Sequence, residues 1–579
     1  MCPSVTWNVV IKKILPILNW LPDYTRQTLS GDIVAGITVA IMIIPQSMAY
    51  ALLAGLSPEI GLYASIVPMM LYALFGSSRY LAVGPVALVS LMTASVMGEV
   101  TATGSADYHT GALIIALLSG VLLIIMSLAR LGVLATLLSK PILSGFTSAA
   151  AIIIGLSQLK YFLGMTIPSG LNSFEKLYYA ASHWQESNLL ALFLGIASIF
   201  IILSSGGVLK RFLTRLNLST IFVNVMSKLG PLFAVAIFTI ASWYFGWHDA
   251  FNLRIVGDIP SGLPSFGMPA LEQDLVWELL GPAILIALVG TIESISVAKS
   301  LASKEREKIE PNKELFGLGM ANLGASFTGA YPITGGLSRS IVNYSAGAQT
   351  PFASIFTGLL VLIVVLFLTP LFYYLPLAVL SSIVIIAVTK LFDMKGFFDL
   401  WRYNKGDAIS MLVTFFVVLF MGVELGILVG VVLSVLFFLI RTSQPHVAVL
   451  GRVGNKGHFR NILRYDAQTS SNLLALRIDE SLFFVNSSYI ENLISDKVAG
   501  HPDIEHLVLV CSGINFIDSS ALETLEHLSE ALQEAGITVH LAEVKGPVMD
   551  KLSQTPFIRK LQGQVFLSTE EAFTTLESK

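Results

Sequence analysis

The feature that most constrains this chain is the repetition of apolar stretches, separated by short breaks, through its first 440 residues. A helix needs about 20 apolar residues to cross the hydrocarbon core of a bilayer. The stretches predict a polytopic α-helical membrane domain with fourteen transmembrane spans, centred near residues 43, 68, 90, 119, 150, 197, 238, 288, 321, 343, 360, 381, 415 and 432. This pattern excludes an ordinary cytosolic enzyme.

Charged residues are scarce in this apolar part and return after it. From residue 441 onward 29 of 139 residues are charged, whereas only 44 of the first 440 are. We therefore divide the chain into a cytoplasmic N-terminal segment (1–30), a transmembrane domain (31–440), a linker (441–465) and a soluble domain (466–579). The net charge of −3 gives no reason to expect nucleic-acid binding.

The distribution of lysine and arginine predicts the orientation in the membrane. With an even number of spans and the N-terminus inside, 19 basic residues fall on the cytoplasmic side, and the outer side receives only Lys160, Lys176 and Arg254. Cytoplasmic loops of membrane proteins carry an excess of basic residues. We expect a multi-pass protein of the cell inner or plasma membrane with cytoplasmic N- and C-termini.

Two ionisable residues, Arg339 and Glu293, fall at predicted membrane depth. A charged side chain there costs several kcal/mol unless it is paired or hydrated, so each is a candidate for function. The alternatives are a structural ion pair between helices or, for Arg339, a span boundary that leaves it at the interface.

A repeat favours the functional interpretation. The short, glycine-containing segments 82–88 and 333–339 match at an offset of about 250 residues, and such paired segments indicate an inverted-repeat transporter. Seven spans per half is an odd number, so two half-helix N-termini would face each other near the midplane. Free N–H groups and the helix dipole attract anions, and Arg339 adds a full positive charge. The sequence thus predicts an anion transporter, unless the glycines only permit close helix packing.

The tail alternates strand and helix patterns. We predict strands over 473–478, 506–511 and 537–542, and amphipathic helices over 487–499, 519–535 and 546–554, which together make an α/β sandwich. Asp518 or Ser519 is expected to cap the helix that starts there. The alternative is phosphorylation of Ser519 or Ser520, because a phosphate is tolerated at a helix N-terminus. The tail shows no set of catalytic groups and no metal-ligand spacing, so the protein is not expected to be an enzyme.

Several motifs together resemble the SulP sulfate-permease family, nearly end to end. They are the segments 61–65, 82–90, 293–298 with 312–315, and 335–343 with 346–348, while the tail resembles a STAS domain at 518–520. The resemblance implies a uracil-permease-like inverted repeat of seven plus seven spans, with a mobile core (spans one to four and eight to eleven) and a more static gate. It also implies an elevator motion and a homodimer aided by the STAS domains.

The same resemblance implies site residues. The family's anion pocket maps onto six positions: Gln46, Tyr50, Val86, Ala87, Ser338 and Arg339. Glu293 matches the glutamate of proton-coupled sulfate transporters, whereas sodium-coupled bicarbonate members carry an aspartate-containing motif nearby. A carboxyl group in a partly dry pocket is readily protonated, and it then stops repelling an incoming dianion.

We therefore expect a secondary active inorganic-anion transporter, with a sulfate:proton symporter as the favoured form. No cofactor is expected; the proton is the expected coupling ion, and sodium remains open. The alternatives are a bicarbonate or C4-dicarboxylate transporter or exchanger of the same family, and an anion channel or voltage-sensing motor. For the STAS domain we expect regulation and trafficking, through a cytoplasmic regulator.

Overall fold

The structure is a computed structural model that describes residues 15–101, 105–132, 139–168, 171–218, 220–263, 266–454 and 457–577. The chain divides into two compact units, the membrane unit (Met1–Val432) and the tail unit (Leu433–Lys579). The first fourteen residues of the predicted N-terminal segment lie outside the described residues. The remainder holds a short helix, α1 (Ile17–Trp20), and the start of the first long helix.

The membrane unit is helical apart from two short strands. Its first half contains α2 (Arg26–Leu53), α3 (Pro58–Tyr63), α4 (Val67–Phe75), β1 (Val83–Gly84), α5 (Ala87–Val100), α6 (Ala106–Leu128), α7 (Lys140–Ser157), α8 (Leu159–Phe162), α9 (Ser173–Ser182), α10 (Leu189–Ser204), α11 (Lys210–Arg215), α12 (Thr220–Met226), α13 (Gly230–Phe245) and α14 (Trp247–Phe251). Its second half contains α15 (Gln273–Lys304), α16 (Pro311–Phe327), β2 (Thr334–Gly335), α17 (Leu337–Ser345), α18 (Phe352–Ile363), α19 (Leu377–Thr389), α20 (Met394–Tyr403), α21 (Lys405–Met421) and the start of α22 (Val423–Ser443), whose residues from Leu433 onward belong to the tail unit.

Each of the fourteen predicted span centres lies inside one of these helices. Over the described part of the chain, nine helical segments are long and apolar enough to cross a membrane, and two shorter apolar helices, α5 and α13, accompany them. The helical membrane architecture therefore agrees with the prediction, whereas the number of fourteen spans stays a prediction.

Local sequence explains where several of these helices begin and end. Thr25 precedes α2, and its Oγ1 accepts a hydrogen bond from the Thr28 N–H at 3.2 Å. Asn188 caps α10 in the same way, by accepting from the Leu190 N–H at 3.0 Å. Gly422 separates α21 from α22 at a φ of +97°, a conformation that is open to a residue without a Cβ.

The tail unit is an α/β sandwich built on one mixed sheet. Its elements are β3 (Val447–Val453), β4 (His458–Asn461), β5 (Leu473–Ile478), α23 (Ser487–Ala499), β6 (His506–Val510), α24 (Ser519–Glu534), β7 (Thr538–Ala542), α25 (Gly546–Leu552), α26 (Phe557–Lys560), β8 (Val565–Phe566) and α27 (Thr569–Glu577). The strand order is β4-β3-β5-β6-β7-β8, in which β5 to β8 run parallel and β3 and β4 are antiparallel. The predicted strands and helices all match elements of the structure to within two residues.

Alternation along β5 builds both faces of this sheet. Leu474, Leu476 and Ile478 join an apolar cluster on one face, while Leu473 and Ala475 join a second cluster on the other. Successive side chains of a strand point to opposite faces, so a strand that is apolar at every position except Arg477 is covered on both sides.

The segment 441–465 differs from the expected linker. It contains β3 and β4, which pair with each other, and β3 also pairs with β5. The alternation in β3 is short and runs into a glycine-rich turn, which conceals a strand at the sequence level; Ala448 and Leu450 are nevertheless buried. The tail sheet therefore starts inside the segment that we expected to be a linker.

Candidate anion-binding site

The site is organised by an antiparallel pair of two-residue strands, β1 and β2. Val83 pairs with Gly335, and Gly84 pairs with Thr334. Each strand leads directly into a helix, β1 into α5 and β2 into α17. The two segments that the sequence predicts as matching interrupted helices are therefore in contact.

Neither of these two helices has a side-chain cap. Val86 precedes α5 and Gly336 precedes α17, and neither position supplies a side-chain acceptor for the first turn. The first N–H groups of a helix have no partner within the helix, and they carry the positive end of its dipole. The strand pair thus delivers two uncapped helix N-termini to one region.

Arg339, in the first turn of α17, is the cation of this region. Its side chain is 2% exposed, and its Nη1 and Nη2 atoms have no hydrogen-bond partner among the described residues. Two glycines leave room for the guanidinium group, since a Cβ at Gly84 would lie 3.2 Å from Nη1 and a Cβ at Gly336 would lie 2.9 Å from Nη2. A buried charged group without partners is costly, so this guanidinium is suited to receive a ligand.

Glu293, on α15, is the carboxylate that acts on Arg339. The two groups interact electrostatically, and both also interact with Tyr50. The Glu293 side chain is partly buried, and its Oε2 atom has no hydrogen-bond partner in the described part of the chain. The alternative of a closed structural ion pair is not observed there, because neither Arg339 nor Glu293 takes part in an ion pair.

The other predicted site residues differ in burial. Gln46 and Tyr50, 6% and 7% exposed, are four residues apart on α2 and thus share one helix face. Val86 and Ala87 are also buried, at the junction of β1 and α5. Ser338, next to Arg339, is exposed. The structure brings Tyr50, Glu293 and Arg339 within electrostatic reach of one another, whereas among the described residues no hydrogen bond joins Gln46 to them.

Sequence reasoning missed several polar side chains around Arg339. Tyr331 interacts electrostatically with Arg339, and its hydroxyl lies 2.9 Å from the Ser90 hydroxyl on α5. Asn322 on α16 holds the residue before β2, since it accepts from the Ile333 N–H at 2.9 Å and donates to the Ile333 carbonyl at 3.1 Å. Ser90 and Tyr331 lie beside the glycine-containing segments 82–88 and 333–339, and this position could have marked them as candidates. Their contact with each other depends on the fold.

Two further buried carboxylates hold the ends of the interrupted segments. Asp32 on α2 accepts from the Gln349 N–H at 2.7 Å and from the Thr350 N–H at 3.1 Å, in the turn that follows α17. Glu314 on α16 accepts from the Tyr72 hydroxyl at 2.6 Å and from the Ser77 N–H at 2.9 Å, ahead of β1. Each half of the membrane unit thus supplies a carboxylate that fixes the interrupted segment of the other half.

In the tail unit the predicted helix cap is confirmed. The Asp518 side chain accepts from the Ala521 N–H at 2.8 Å, and its second oxygen accepts from the Phe484 N–H at 2.9 Å. Ser519 and Ser520 are exposed in the first turn of α24, and their phosphorylation stays a prediction. Burial raises the pKa of the neighbouring Cys511 thiol to about 12.

Comparison with protein families and curated proteins finds a matching family model for each of the two units. The model of the sulfate permease family matches residues 29–414, and the STAS domain model matches residues 464–572. Probable sulfate transporter 4.2 of Arabidopsis thaliana is 37% identical over 570 residues, which cover 96% of this chain and 82% of the relative. Sulfate transporter 4.1, a chloroplastic protein of the same plant, is 38% identical over 547 residues, which cover 92% of this chain and 78% of the relative.

A solved structure has the same fold. The murine Solute Carrier 26 anion transporter Slc26a9, in its inward-facing state, aligns with a TM-score of 0.90 at 24% identity over 100% of this chain and 96% of that chain. At this identity the likeness shows the fold alone, and the alignment extends over both units.

Proposed function

The chain belongs to the sulfate permease family of anion transporters, and we propose that it carries sulfate across the membrane together with a proton. The observation that carries this proposal is the buried Arg339 guanidinium, which lies beside two uncapped helix N-termini and whose Nη1 and Nη2 atoms have no hydrogen-bond partner among the described residues. Sulfate is a compact dianion whose oxygens accept hydrogen bonds, so it matches a guanidinium fork and free backbone N–H groups.

Sulfate is favoured as the substrate because of the relatives. Both curated relatives described above are named sulfate transporters, and each aligns with more than nine-tenths of this chain. The pocket chemistry supports an anion without selecting one, since bicarbonate and carboxylates accept the same hydrogen bonds. The assignment to sulfate thus rests on the relatives and the assignment to an anion on the geometry.

Glu293 is the proposed proton carrier. With Arg339 charged, an ionised Glu293 and a bound sulfate leave two net negative charges in a region of low dielectric, where like charges repel strongly. A proton on Glu293 halves that excess and leaves the positive charge of Arg339 to act on the substrate alone. Binding of the anion and uptake of the proton then favour each other, which is the requirement for symport.

We further propose that the site moves as part of an elevator. Arg339, Glu293 and Tyr50 lie on α17, α15 and α2, and Val86 directly precedes α5, all within the predicted core. The β1–β2 pair and buried hydrogen bonds join these elements. A core that carries the whole site can shift against the gate without breaking it. A homodimer, cytoplasmic termini, a location in the cell inner or plasma membrane and a regulator bound to the STAS domain complete the proposal.

Uptake into proteoliposomes that contain the purified protein tests this function. We expect radiolabelled sulfate to accumulate beyond equilibrium when the outside is at about pH 5.5 and the lumen at about pH 7.5, with or without sodium, and a protonophore to abolish the accumulation. Parallel assays with bicarbonate and fumarate identify another substrate. Sulfate movement that only equilibrates would indicate a channel, since a channel cannot concentrate its ion.

A further inference from the structure

The strand β2 lies against α15 at an unusually close approach. A Cβ at Gly290 would lie 3.1 Å from the Thr334 hydroxyl and 3.2 Å from its Cβ. The glycine therefore lets the helix that carries Glu293 touch the strand that leads to Arg339. The contact connects the two ionisable groups of the site, since Gly290 is three residues from Glu293 and Thr334 is five residues from Arg339.

Two hydroxyl groups link helix and strand at this contact. The Thr334 hydroxyl donates to the Gly290 carbonyl at 2.6 Å, and it lies 2.6 Å from the Ser294 hydroxyl. The Ser294 hydroxyl accepts from the Gly335 N–H at 2.8 Å. Each hydroxyl has a single hydrogen. Because Thr334 gives its hydrogen to Gly290, Ser294 must donate to Thr334, and one arrangement of hydrogens satisfies all three bonds.

These groups are shielded from water. Ser294 and Thr334 are 0% and 1% exposed, and Gly290 and Gly335 are buried as well. No solvent can replace a lost bond in such a place, so removal of the Ser294 hydroxyl leaves the Gly335 N–H unpaired. That N–H belongs to the strand that feeds α17, four residues before Arg339.

We propose that Ser294 and Thr334 form a hydroxyl clamp that sets the position of Arg339 relative to Glu293. Ser294 is adjacent to Glu293 in the chain, and the clamp is the direct hydrogen-bonded connection between α15 and β2. Both residues are positioning residues, which act on the substrate through Arg339. The proposal rests on the proposed function, because it assigns a role in sulfate binding and in proton coupling.

The transport test compares Ser294→Ala and Thr334→Val with two controls. Thr334→Ser keeps the hydroxyl, and Thr291→Val removes a buried hydroxyl of the same helix that has no hydrogen-bond partner within the described residues. We expect the sulfate KM to rise about tenfold in Ser294→Ala and Thr334→Val, with a maximal rate within about twofold of the unmodified protein. The pH dependence of KM should shift in these two variants, and both controls should behave as the unmodified protein.

Hydrogen exchange supplies a second readout that needs no substrate. In the full chain in nanodiscs, the Gly335 N–H should exchange at least about tenfold faster in Ser294→Ala than in Thr291→Val, because only the former loses its acceptor. Unchanged exchange would overturn the clamp whatever the substrate is. Faster exchange with an unchanged sulfate KM would overturn its positioning role. If the unmodified protein does not transport sulfate, the proposed function fails, and with it the transport role of the clamp; the exchange result still decides whether the clamp forms.

Discussion

The helices α17 in the membrane unit and α24 in the tail unit each follow a strand, α17 two residues after β2 and α24 nine residues after β6, but their N-termini are capped differently. At α24 the Asp518 carboxylate accepts from the Ala521 N–H, so the helix start is closed by the chain itself. At α17 the N-cap residue, Gly336, provides no side-chain cap, and the first turn carries Arg339, whose charge has the opposite sign to that of a capping carboxylate. An N-terminus that carries a positive group needs an anion from elsewhere, whereas a capped one does not.

The same contrast separates the partly buried Glu293 on α15 from the fully buried Glu314 on α16. Glu314 accepts three hydrogen bonds, from the Tyr72 hydroxyl and from the N–H and hydroxyl of Ser77. Glu293 has an oxygen without any partner in the described part of the chain. Burial alone therefore does not mark a functional group. A buried polar atom that the fold leaves without a hydrogen-bond partner does.

The largest expected effect comes from Arg339, the group that the fold leaves unpaired. Arg339→Gln should reduce sulfate uptake at least about 100-fold, because a guanidinium that binds a dianion provides charge-assisted hydrogen bonds that an amide lacks. Arg339→Lys should retain a fraction, since it keeps the charge but loses the planar fork. The matched control is Arg477→Gln in the tail unit, where the arginine is paired with Asp479. Full uptake by Arg339→Gln would contradict the idea that a buried polar group without hydrogen-bond partners marks the binding site.

Glu293→Gln is expected to have the second largest effect. The ratio of uptake at pH 5.5 to uptake at pH 7.5 should fall to about one, because a single titrating group can change a rate by up to about tenfold per pH unit and glutamine cannot titrate. Sulfate should still exchange across the membrane. The control is Glu310→Gln, an exposed glutamate bonded to Lys313. A pH ratio that survives in Glu293→Gln would assign proton coupling to another group.

Removal of the helix cap should have a moderate effect that is confined to the tail unit. Asp518→Ala should destabilise α24 by about 1 kcal/mol, while Asp518→Asn keeps an acceptor and most of the stability. In a Cys2→Ser background, maleimide labelling of the buried Cys511 reports opening of this unit. Labelling should accelerate about fivefold in Asp518→Ala and leave initial sulfate uptake unchanged. Equal labelling of both variants would show that the carboxylate is not the cap.

The smallest expected effect concerns the tail-unit pair of Arg477 and Asp479, in which the arginine, unlike Arg339, has a carboxylate partner. Burial opposes ionisation of Asp479, but hydrogen bonds from Arg477 and His446 outweigh it and hold the pKa of this carboxyl below its usual value. A folded-state pKa below the unfolded one stabilises the tail unit above about pH 4, and the contribution disappears as the pH falls through the folded value. Because the pair is partly exposed, it is worth less than about 1 kcal/mol.

Hydrogen exchange of strand β5 in the full chain measures this contribution. Protection should decrease between pH 5 and pH 3 in the unmodified protein and change less in Asp479→Asn. The same decrease in both proteins would place the acid sensitivity elsewhere.

Much of the fold and several residues of the candidate site can be predicted from the sequence. Apolar stretches locate the helices of the membrane unit because lipid demands long apolar segments, and short, largely apolar runs locate β5, β6 and β7 because both faces of the sheet are covered. Arg339 and Glu293 are recognisable because charge is rare at membrane depth. The cap at Asp518 follows from local sequence, since a cap joins residues only three apart.

The remainder depends on contacts between distant segments. Ser294 and Thr334 look like ordinary helix and loop residues, and only the approach of α15 to β2 at Gly290 pairs them. Asp32 and Glu314 find their donors hundreds of residues away. The strands β3 and β4 escape prediction for a similar reason, because an edge hairpin is defined by its partner strand β5 rather than by its own pattern.

The pairing of β1 with β2 also bears on biosynthesis. During translation β1 emerges about 250 residues before its partner strand β2. Its N–H and C=O groups therefore have no strand partner until the second half of the protein has been synthesised. Unpaired backbone groups are poorly tolerated in lipid, and until residue 335 has been inserted they need water, the translocation machinery or a chaperone as a substitute. A ribosome that stops before that point releases a membrane-embedded fragment without a binding site, with an open strand edge that quality-control factors can recognise.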